Sequence, residues 1–460
     1  MTTEERNAMR EQLFGFAGGE HMGGQIHTPK KIVLEMLDSL PESVWNSTTT
    51  FLDPATKSGV FLLEIYKRLM NSSDLLEKFP DPDDREQHIL QNQLFGIATD
   101  ELGEMFIRRM MYLDSDINNI VYLKDYVRRY YKGSWNLKED LEKELGREVK
   151  FDVVIGNPPY NDEFDNGGGT GKRAMALYPA FIEKAQRLSK YVSMITPTRW
   201  YTQPEFKGIR DKMVNGSLVS LTDYLKSSDC FQDVSIAGGV SYWLWDRDYK
   251  GTTKFKSGAD EWEVDLRNSN IVLRYKYACN IASKIGKQDK MFDTIVSGTD
   301  LFGVKREKFE GSTTPDNTNN ILLKHSRGEF EYISKDKVTK RSEAVGKYKL
   351  YTEYMNGSGD KVLKTLNILN QNEICDLSFV VIAIEEDKNR IENIKTYFET
   401  KFVRFLIKAT LTNTTVTRGN YCLVPLQDFS KPWTDAELYS KYSLSDDEIK
   451  YIESTIKPME

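Results

Sequence analysis

Short apolar runs alternate with amphipathic helical segments through the first half of the chain, and this alternation constrains the fold most. "TTTFLDPATKSGVFLLEIYKRLM" and "NQLFGIATDELGEMFIRRMMYL" each predict a strand followed by a helix. "NIVYLKDYV" and "FDVVIGNPPY" predict two more strands, and "LYPAFIEKAQRLSKYVSMITPTRWY" a further helix and strand. Strands that alternate with helices need crossover connections, which produce a mostly parallel sheet. We therefore predict an α/β fold with helices on both faces of the sheet.

The rhythm changes after about Lys250 to short strands, polar loops and Asn/Thr clusters such as "GSTTPDNTNN". A chain of 460 residues is too long for one ordinary core. We therefore predict two domains, residues 1–250 and residues 251–460, the second of mixed α+β character.

Composition excludes several classes of protein. No apolar run approaches membrane-spanning length, and the charged start, Met1 to Arg10, lacks the apolar core of a signal peptide. The four cysteines and four histidines are scattered, without the spacings of a zinc site. We expect a cytoplasmic protein without a metal. The net charge of −6 argues against a general polyanion binder, but residues 301–350 hold 11 basic against 7 acidic residues, which a solvated face explains nearly as well as a local basic surface.

Polar residues collect where the predicted strands end, which is where parallel sheets bind ligands. Asp53 is predicted at a strand end, with Pro54 and Ala55 in a tight turn and Gly59 at a close helix approach. Asp100, after the next strand, suits the hydroxyls of a ribose. The turn lacks the G-x-G-x-x-G signature of dinucleotide sites. These residues alone leave a nucleoside site and a structural turn equally open.

The stretch "NPPY" ends another buried strand with rigid and polar groups. Pro158 and Pro159 fix the backbone, so that the Asn157 side-chain oxygen and the Pro158 carbonyl can face one point as two acceptors. An exocyclic amine has two N–H donors that would satisfy them, and Tyr160 offers a flat face for a base. Two acceptors would aim the lone pair of such an amine at an electrophile, without a strong base.

Taken in order, these motifs resemble the S-adenosyl-methionine-dependent N6-adenine DNA methyltransferases of the gamma class. "HTP", "DPATKSGVF" and "NPPY" are similar to the N-terminal cofactor motif, the methionine-binding turn and the catalytic motif; "LYPAFIEKA", "ITPTRWY" and "CFQDVSIAGGVSYWLW" are similar to later ones. The tail "VPLQDFSKPWTDAELYSKY" resembles the ending of Eco57I-type modification methylases. The resemblance implies a Rossmann-like cofactor and catalytic domain, followed by a target-recognition domain.

The same resemblance implies roles for individual residues. Asn157, Pro158, Pro159 and Tyr160 would form the catalytic motif, with Tyr160 and Phe231 against the flipped base. The residues implied at the cofactor are Thr28, Pro29, Asp53, Pro54, Ala55, Asp100, Asp125, Asn157 and Phe181. Ala98 stands where the family usually has its ribose-binding Glu, so either Asp100 or Glu101 would take that contact. Phe231 fits a core aromatic equally well.

The function implied is transfer of a methyl group from S-adenosyl-L-methionine to N6 of a flipped-out adenine in one short sequence of double-stranded DNA. The resemblance also implies that the protein acts in a restriction-modification or phage-defence system, in which a restriction endonuclease would be its partner. Two alternatives remain open: an N-methyltransferase acting on an RNA base or a protein glutamine, and a non-catalytic DNA-recognition subunit. The Gly-rich stretch "NGGGTGKR" fails as a phosphate loop and is predicted to cover the site.

Overall fold

The computed structural model divides into two compact units, Met1–Trp200 with Glu205–Asn270, and Tyr201–Pro204 with Ile271–Glu460. We call them the first and the second unit. The structure describes residues 1–17, 28–113, 117–124, 136–161, 175–232, 234–267, 269–286, 290–304, 311–355, 362–363 and 365–459.

The first unit is built on one large sheet. Its helices are α1 (Thr3–Ala17), α2 (Lys30–Asp38), α3 (Val60–Met70), α4 (Ser73–Lys78), α5 (Pro82–Asn92), α6 (Glu101–Tyr112), α7 (Leu137–Leu145), α8 (Tyr178–Leu188) and α9 (Lys207–Met213). Its strands are β1 (Phe51–Thr56), β2 (Leu94–Ala98), β3 (Ile120–Tyr122), β4 (Val153–Gly156), β5 (Tyr191–Pro197), β6 (Leu218–Tyr224), β7 (Val240–Asp246), β8 (Thr253–Ser257) and β9 (Asp260–Val264).

These nine strands follow the order β3-β2-β1-β4-β5-β7-β6-β8-β9. The pairings from β3 through β5 are all parallel, whereas β7 is antiparallel to both β5 and β6. β1 and β4 are buried at every position, because a strand in the middle of a helix-covered sheet has no solvated side. The predicted α/β fold with a mostly parallel sheet is confirmed.

One local prediction is wrong. Pro54 and Ala55 do not form a turn after the first strand, because β1 continues through them to Thr56. The strand tolerates a proline there because its ladder is irregular: β1 pairs with β4 only at Phe51 and Leu52, and its register against β2 shifts between Asp53 and Thr56. Asp53 therefore lies within a central strand of the sheet rather than on a loop.

The second unit combines small sheets with helices. Its strands are β10 (Asn319–Lys324), β11 (Phe330–Ser334), β12 (Tyr348–Glu353), β13 (Asn367–Leu369), β14 (Glu373–Cys375) and β15 (Phe379–Glu385). Its helices are α10 (Ala278–Ile285), α11 (Lys388–Glu399), α12 (Lys401–Thr410), α13 (Asp435–Lys441) and α14 (Asp446–Thr455). The strands form two three-stranded sheets, β11-β10-β14 and β13-β12-β15. This is the mixed α+β character predicted for the later part of the chain.

The boundary between the units falls at Asn270, 20 residues after the predicted one at 250. The reason is that β8 pairs in parallel with β6, and β9 pairs with β8, so that both strands extend the large sheet. The sequence of β8, "TKFKS", alternates buried and exposed positions as a strand with one solvated face does, which the change of rhythm near Lys250 concealed. Among the described residues, no helix is both long and apolar enough to cross a membrane.

Candidate active site

The strand order reverses between β1 and β4, and two of the predicted site residues lie there. Asp53 is on β1, and Asn157 follows the last residue of β4 directly. Such a reversal leaves a crevice beyond the carboxyl ends of the strands, because the neighbouring connections diverge to opposite faces. Both side chains line one small cleft, together with Thr28 and Ala55. The fold thus brings together residues from three segments that are far apart in sequence.

Asn157 is 5% exposed and has one satisfied and one unsatisfied polar group. Its Nδ2 donates a hydrogen bond of 3.2 Å to Oγ1 of Thr28. Its Oδ1 is buried and receives no hydrogen bond from any described residue. A buried carbonyl oxygen without a donor is costly and usually marks a functional site. The amide is therefore fixed by its nitrogen while its oxygen stays free to accept.

Asp53 is a buried carboxyl group whose pKa is raised. Its Oδ1 accepts a hydrogen bond of 3.1 Å from the backbone N–H of Ala55. Burial raises the pKa of Asp53 to about 7, although that hydrogen bond opposes the shift. Gly156 is required beside it, since a Cβ at that position would come within 2.5 Å of Asp53 Oδ1. A cationic ligand in the cleft would favour the ionised form of this carboxyl.

The N-terminus of α3 forms another wall of the cleft. Gly59 precedes the helix with φ of +76°, a conformation that favours glycine. The cleft is also lined by Lys57 and Ser58, in the segment between β1 and the helix. Free N–H groups at a helix start attract an anionic group. Sequence reasoning used Gly59 only as a packing position and did not include Lys57 or Ser58 in the site.

Thr28 and Pro29 stand immediately before α2. Pro29 occupies the cap position of that helix, and Thr28 is buried. The described contact of the Thr28 hydroxyl is with Asn157. The proposed role of both residues at a cofactor stays a prediction, but the hydrogen bond adds a link to the catalytic motif that the sequence did not reveal.

The aromatic residues of the predicted site are largely enclosed. Tyr160 is half-buried, its hydroxyl oxygen is buried, and burial raises the pKa of that hydroxyl well above its usual range. Its ring packs against the core cluster that contains Phe231, which is 1% exposed. Phe181 is buried on α8. Pro158 is buried and Pro159 half-buried, as expected for a rigid segment. The stacking roles of these rings stay predictions.

Asp100 has a structural role that is sufficient to explain its position. It is the N-cap of α6, and its Oδ1 accepts a hydrogen bond of 2.7 Å from the backbone N–H of Gly103. Glu101 is exposed in the first turn. The choice between the two for a ribose contact stays open. Asp125 and the Gly-rich stretch "NGGGTGKR" lie outside the described residues.

Comparison with known proteins gives a family match in the middle of the chain. Residues 84–231 match the model of the Eco57I restriction-modification methylase family. The matched segment includes the "NPPY" motif, α8 and Phe231. A protein of Mycoplasma pneumoniae named "Uncharacterized adenine-specific methylase" is 28% identical over 317 residues, which cover 54% of this chain and 74% of that protein.

Two solved structures are similar in fold across most of the chain. The ATP-dependent Type ISP restriction-modification enzyme LlaBIII bound to DNA gives a TM-score of 0.53 at 11% identity, covering 99% of this chain and 40% of that one. The DrdV–DNA complex gives 0.50 at 14% identity, covering 93% and 58%. Identities this low show a shared fold alone. The chain thus spans only about half the length of these two solved proteins.

Proposed function

We propose that this chain, a DNA methyltransferase of the Eco57I restriction-modification type, transfers a methyl group from S-adenosyl-L-methionine to N6 of an adenine flipped out of duplex DNA. The family match over residues 84–231 and the adenine-specific Mycoplasma relative support the activity. The details of cofactor, site and DNA below are argued from the residues.

The observation that carries the proposal is the unsatisfied Oδ1 of Asn157. The adenine amine is a poor nucleophile because its lone pair is delocalised into the ring. An acceptor fixed in place draws one amine hydrogen towards itself, and the carbonyl of Pro158 would take the other. The nitrogen then becomes pyramidal and directs its lone pair at the methyl donor. Asn157 needs no rearrangement to do this, because Thr28 already holds its nitrogen.

The cleft residues fit the methionine part of S-adenosyl-L-methionine. Asp53 is a buried carboxyl group, and a nearby ammonium group would favour its ionised form and balance its negative charge. The N-terminus of α3, beyond Gly59, offers backbone N–H groups to a carboxylate. The bound cofactor would supply an electrophilic methyl group. Thr28, Pro29, Pro54 and Ala55 would complete the walls, and Phe181 and Asp125 would contact the adenine end, as the resemblance implies.

The target base has to leave the duplex, since its amine is otherwise paired and out of reach of a buried acceptor. Tyr160 would stack on the flipped base with the outer part of its ring, because its hydroxyl is directed into the protein. Phe231, in the core cluster against which the Tyr160 ring packs, would be the second aromatic residue against the base, as the resemblance implies. We propose that the second unit recognises the DNA, that a restriction endonuclease completes the system, and that the protein acts in the cytoplasm.

The direct test replaces the acceptor. Asn157→Ala should lower the rate of methyl transfer by about 100-fold or more, because it removes a group that acts on the reacting amine. Affinity for S-adenosyl-L-methionine should stay within a few-fold of the wild type. Transfer of tritiated methyl groups to DNA and a calorimetric titration measure the two quantities.

Asn161→Ala is the matched control, since this exposed asparagine lies four positions further along the chain. It should leave the rate nearly unchanged. Methylation by Asn157→Ala at close to the wild-type rate would remove the amine-activating role.

A further inference from the structure

The second unit contains a groove between its two small sheets that no predicted role has used. The groove has a volume of about 560 Å³. Six of its lining residues represent its chemistry: Lys324, Tyr332, Tyr351, Glu353, Asn367 and Phe379. They come from both sheets and mix aromatic rings, a cation, a carboxylate and an amide. A surface for phosphates would carry cations alone, whereas base edges present both donors and acceptors.

A β-hairpin borders this groove. We call residues 325–329, between β10 and β11, the hairpin tip. Arg327 and Gly328 lie at its centre with φ of +64° and +79°. Positive φ is a backbone region that glycine and asparagine adopt more easily than other residues. Arginine at the first of these positions costs conformational energy. The turn therefore presents a guanidinium group where an asparagine would fold more easily.

Two side chains at and beside the tip, those of Arg327 and Phe330, are exposed to solvent. Arg327 is exposed, and no carboxylate of the described residues pairs with its guanidinium group. Phe330, at the start of β11, is 52% exposed. An exposed aromatic ring and an exposed arginine that line the same groove are typical of contact sites rather than of solvated faces.

His325, the first residue of the hairpin tip, anchors the hairpin through its two ring nitrogens. His325 lies between two buried carboxyl groups, with Nδ1 at 2.9 Å from Asp376 Oδ2 and Nε2 at 3.0 Å from Glu331 Oε1. Asp376 follows β14 and Glu331 belongs to β11, so that the histidine links the hairpin to its neighbouring strand. Groups that read another molecule discriminate better when the protein holds them in place before contact.

We infer that this hairpin enters a groove of duplex DNA, where Arg327 contacts a base edge and Phe330 packs beside it, as specificity-determining residues of the methyltransferase. The inference rests on the proposed function. A two-stranded β-ribbon fits the major groove, which is about 12 Å wide. The planar guanidinium has the donor spacing to bind O6 and N7 of guanine.

The experiment first maps the methylated sequence, by single-molecule sequencing of DNA from cells that express the wild type. Arg327→Ala and Arg327→Asn should then lower affinity for an oligonucleotide of that sequence by about 10- to 100-fold, or accept other bases at one position. Arg327→Asn is the informative variant, because the favoured turn residue should raise the unfolding temperature while binding is lost. Phe330→Ala should weaken binding as well.

The controls separate this inference from the proposed function. Lys388→Ala removes one exposed cation of the same unit outside the groove lining, and should leave the sequence and the affinity as in the wild type. All variants should bind S-adenosyl-L-methionine within about twofold of the wild type. If the wild type methylates DNA and the Arg327 and Phe330 variants keep the same methylated sequence and the same affinity for DNA, the inference is wrong. It is also wrong if these variants bind DNA normally but lose binding to a protein partner. A wild type that methylates no adenine in DNA overturns the proposed function itself.

Discussion

The orientation of the Asn157 amide depends on a residue 129 positions earlier in the chain. An asparagine amide can rotate by half a turn, which exchanges the positions of its oxygen and nitrogen. Only the oxygen can accept a hydrogen bond from a target amine. The hydroxyl of Thr28 accepts from Nδ2 and so favours the orientation with Oδ1 free. We therefore propose that Thr28 positions the Asn157 amide within the predicted catalytic motif.

Thr28→Val is expected to lower kcat by about fivefold, since it removes one hydrogen bond of roughly 1 kcal/mol while keeping the shape of the side chain. Affinity for the cofactor should change little. Thr28→Ser keeps the hydroxyl and should restore kcat. Steady-state kinetics with varied S-adenosyl-L-methionine measures both. A higher KM for the cofactor with unchanged kcat would instead assign Thr28 to cofactor binding.

The raised pKa of Asp53 makes a pH dependence expected near neutrality. Its pKa of about 7 means that the carboxyl is mostly protonated at pH 6 and mostly ionised at pH 7.5. If the ionised form binds the cofactor ammonium, affinity should rise on the order of tenfold over this interval. Asp53→Asn should bind weakly at both pH values. Calorimetric titration of the wild type with no change in affinity from pH 6 to 7.5 would contradict the contact.

Stability without the cofactor should change in the opposite direction. The pKa of Asp53 is higher in the folded chain than the value of about 4 expected when unfolded, so that the folded state binds more protons between those values. The stabilising contribution of the protonated carboxyl is complete below about pH 4 and is lost as the pH rises through 7.

At the scale of elements, the end of β4 packs closely against β1. Gly156 is the last residue of β4. A Cβ added at this position would lie 2.5 Å from Asp53 Oδ1 and 3.2 Å from Pro54 Cδ. These neighbours belong to β1, so a side chain at this point would have to separate the two central strands or move the carboxyl group.

Gly156→Ala is expected to destabilise the first unit by about 1–3 kcal/mol and to weaken cofactor binding, because the displaced group is Asp53. Gly208→Ala is the matched control: this glycine lies in α9, and no heavy atom would lie within 4 Å of an added Cβ. The control should stabilise by about 0.5–1 kcal/mol, since alanine favours the helix. Thermal unfolding and cofactor titration report both effects. A cofactor affinity unaltered in Gly156→Ala would mean that Asp53 does not contact the ligand.

At the scale of the whole molecule, a chain of net charge −6 has to approach a polyanion with a local surface. Another groove of the second unit, of about 540 Å³, is lined by Lys340, Arg341 and Arg418 together with Asp300 and small polar and aliphatic residues. Lys340 and Arg341 form ion pairs with Asp300 and Glu343 on the surface, which are weak and can exchange for phosphate contacts. Lys305 and Arg306, two further basic residues of the segment 301–350, lie outside the described residues.

Replacing Lys340, Arg341 and Arg418 together by alanine should weaken DNA binding and make it less sensitive to salt. The slope of log affinity against log salt should fall by up to about 3, one for each lost phosphate contact. Affinity for S-adenosyl-L-methionine should be unchanged, because the candidate cofactor residues belong to the first unit. Fluorescence anisotropy at several salt concentrations measures the slope. A variant that loses cofactor affinity and keeps its DNA binding would contradict the assignment of DNA recognition to the second unit.

The sequence by itself determined what depends on neighbours along the chain. The alternation of apolar runs and helices established the α/β sheet, and the rigid "NPPY" segment could be placed after β4, because proline geometry and strand burial are local properties. Asp100 was likewise predicted next to the start of α6, where it caps the helix. Its capping role was not foreseen, since a cap and a ribose ligand require the same residue type.

Only the tertiary structure decided the properties that depend on distant residues. The contact of Thr28 with Asn157, the acidity of Asp53 and the need for Gly156 arise where β1, β4 and the start of α2 meet. The bulge that keeps Pro54 inside β1, and the pairing that adds β8 and β9 to the large sheet, are choices between partners that each strand could make. Burial and hydrogen bonding are set by which segments meet in space, and that information is not contained in any single stretch of the sequence.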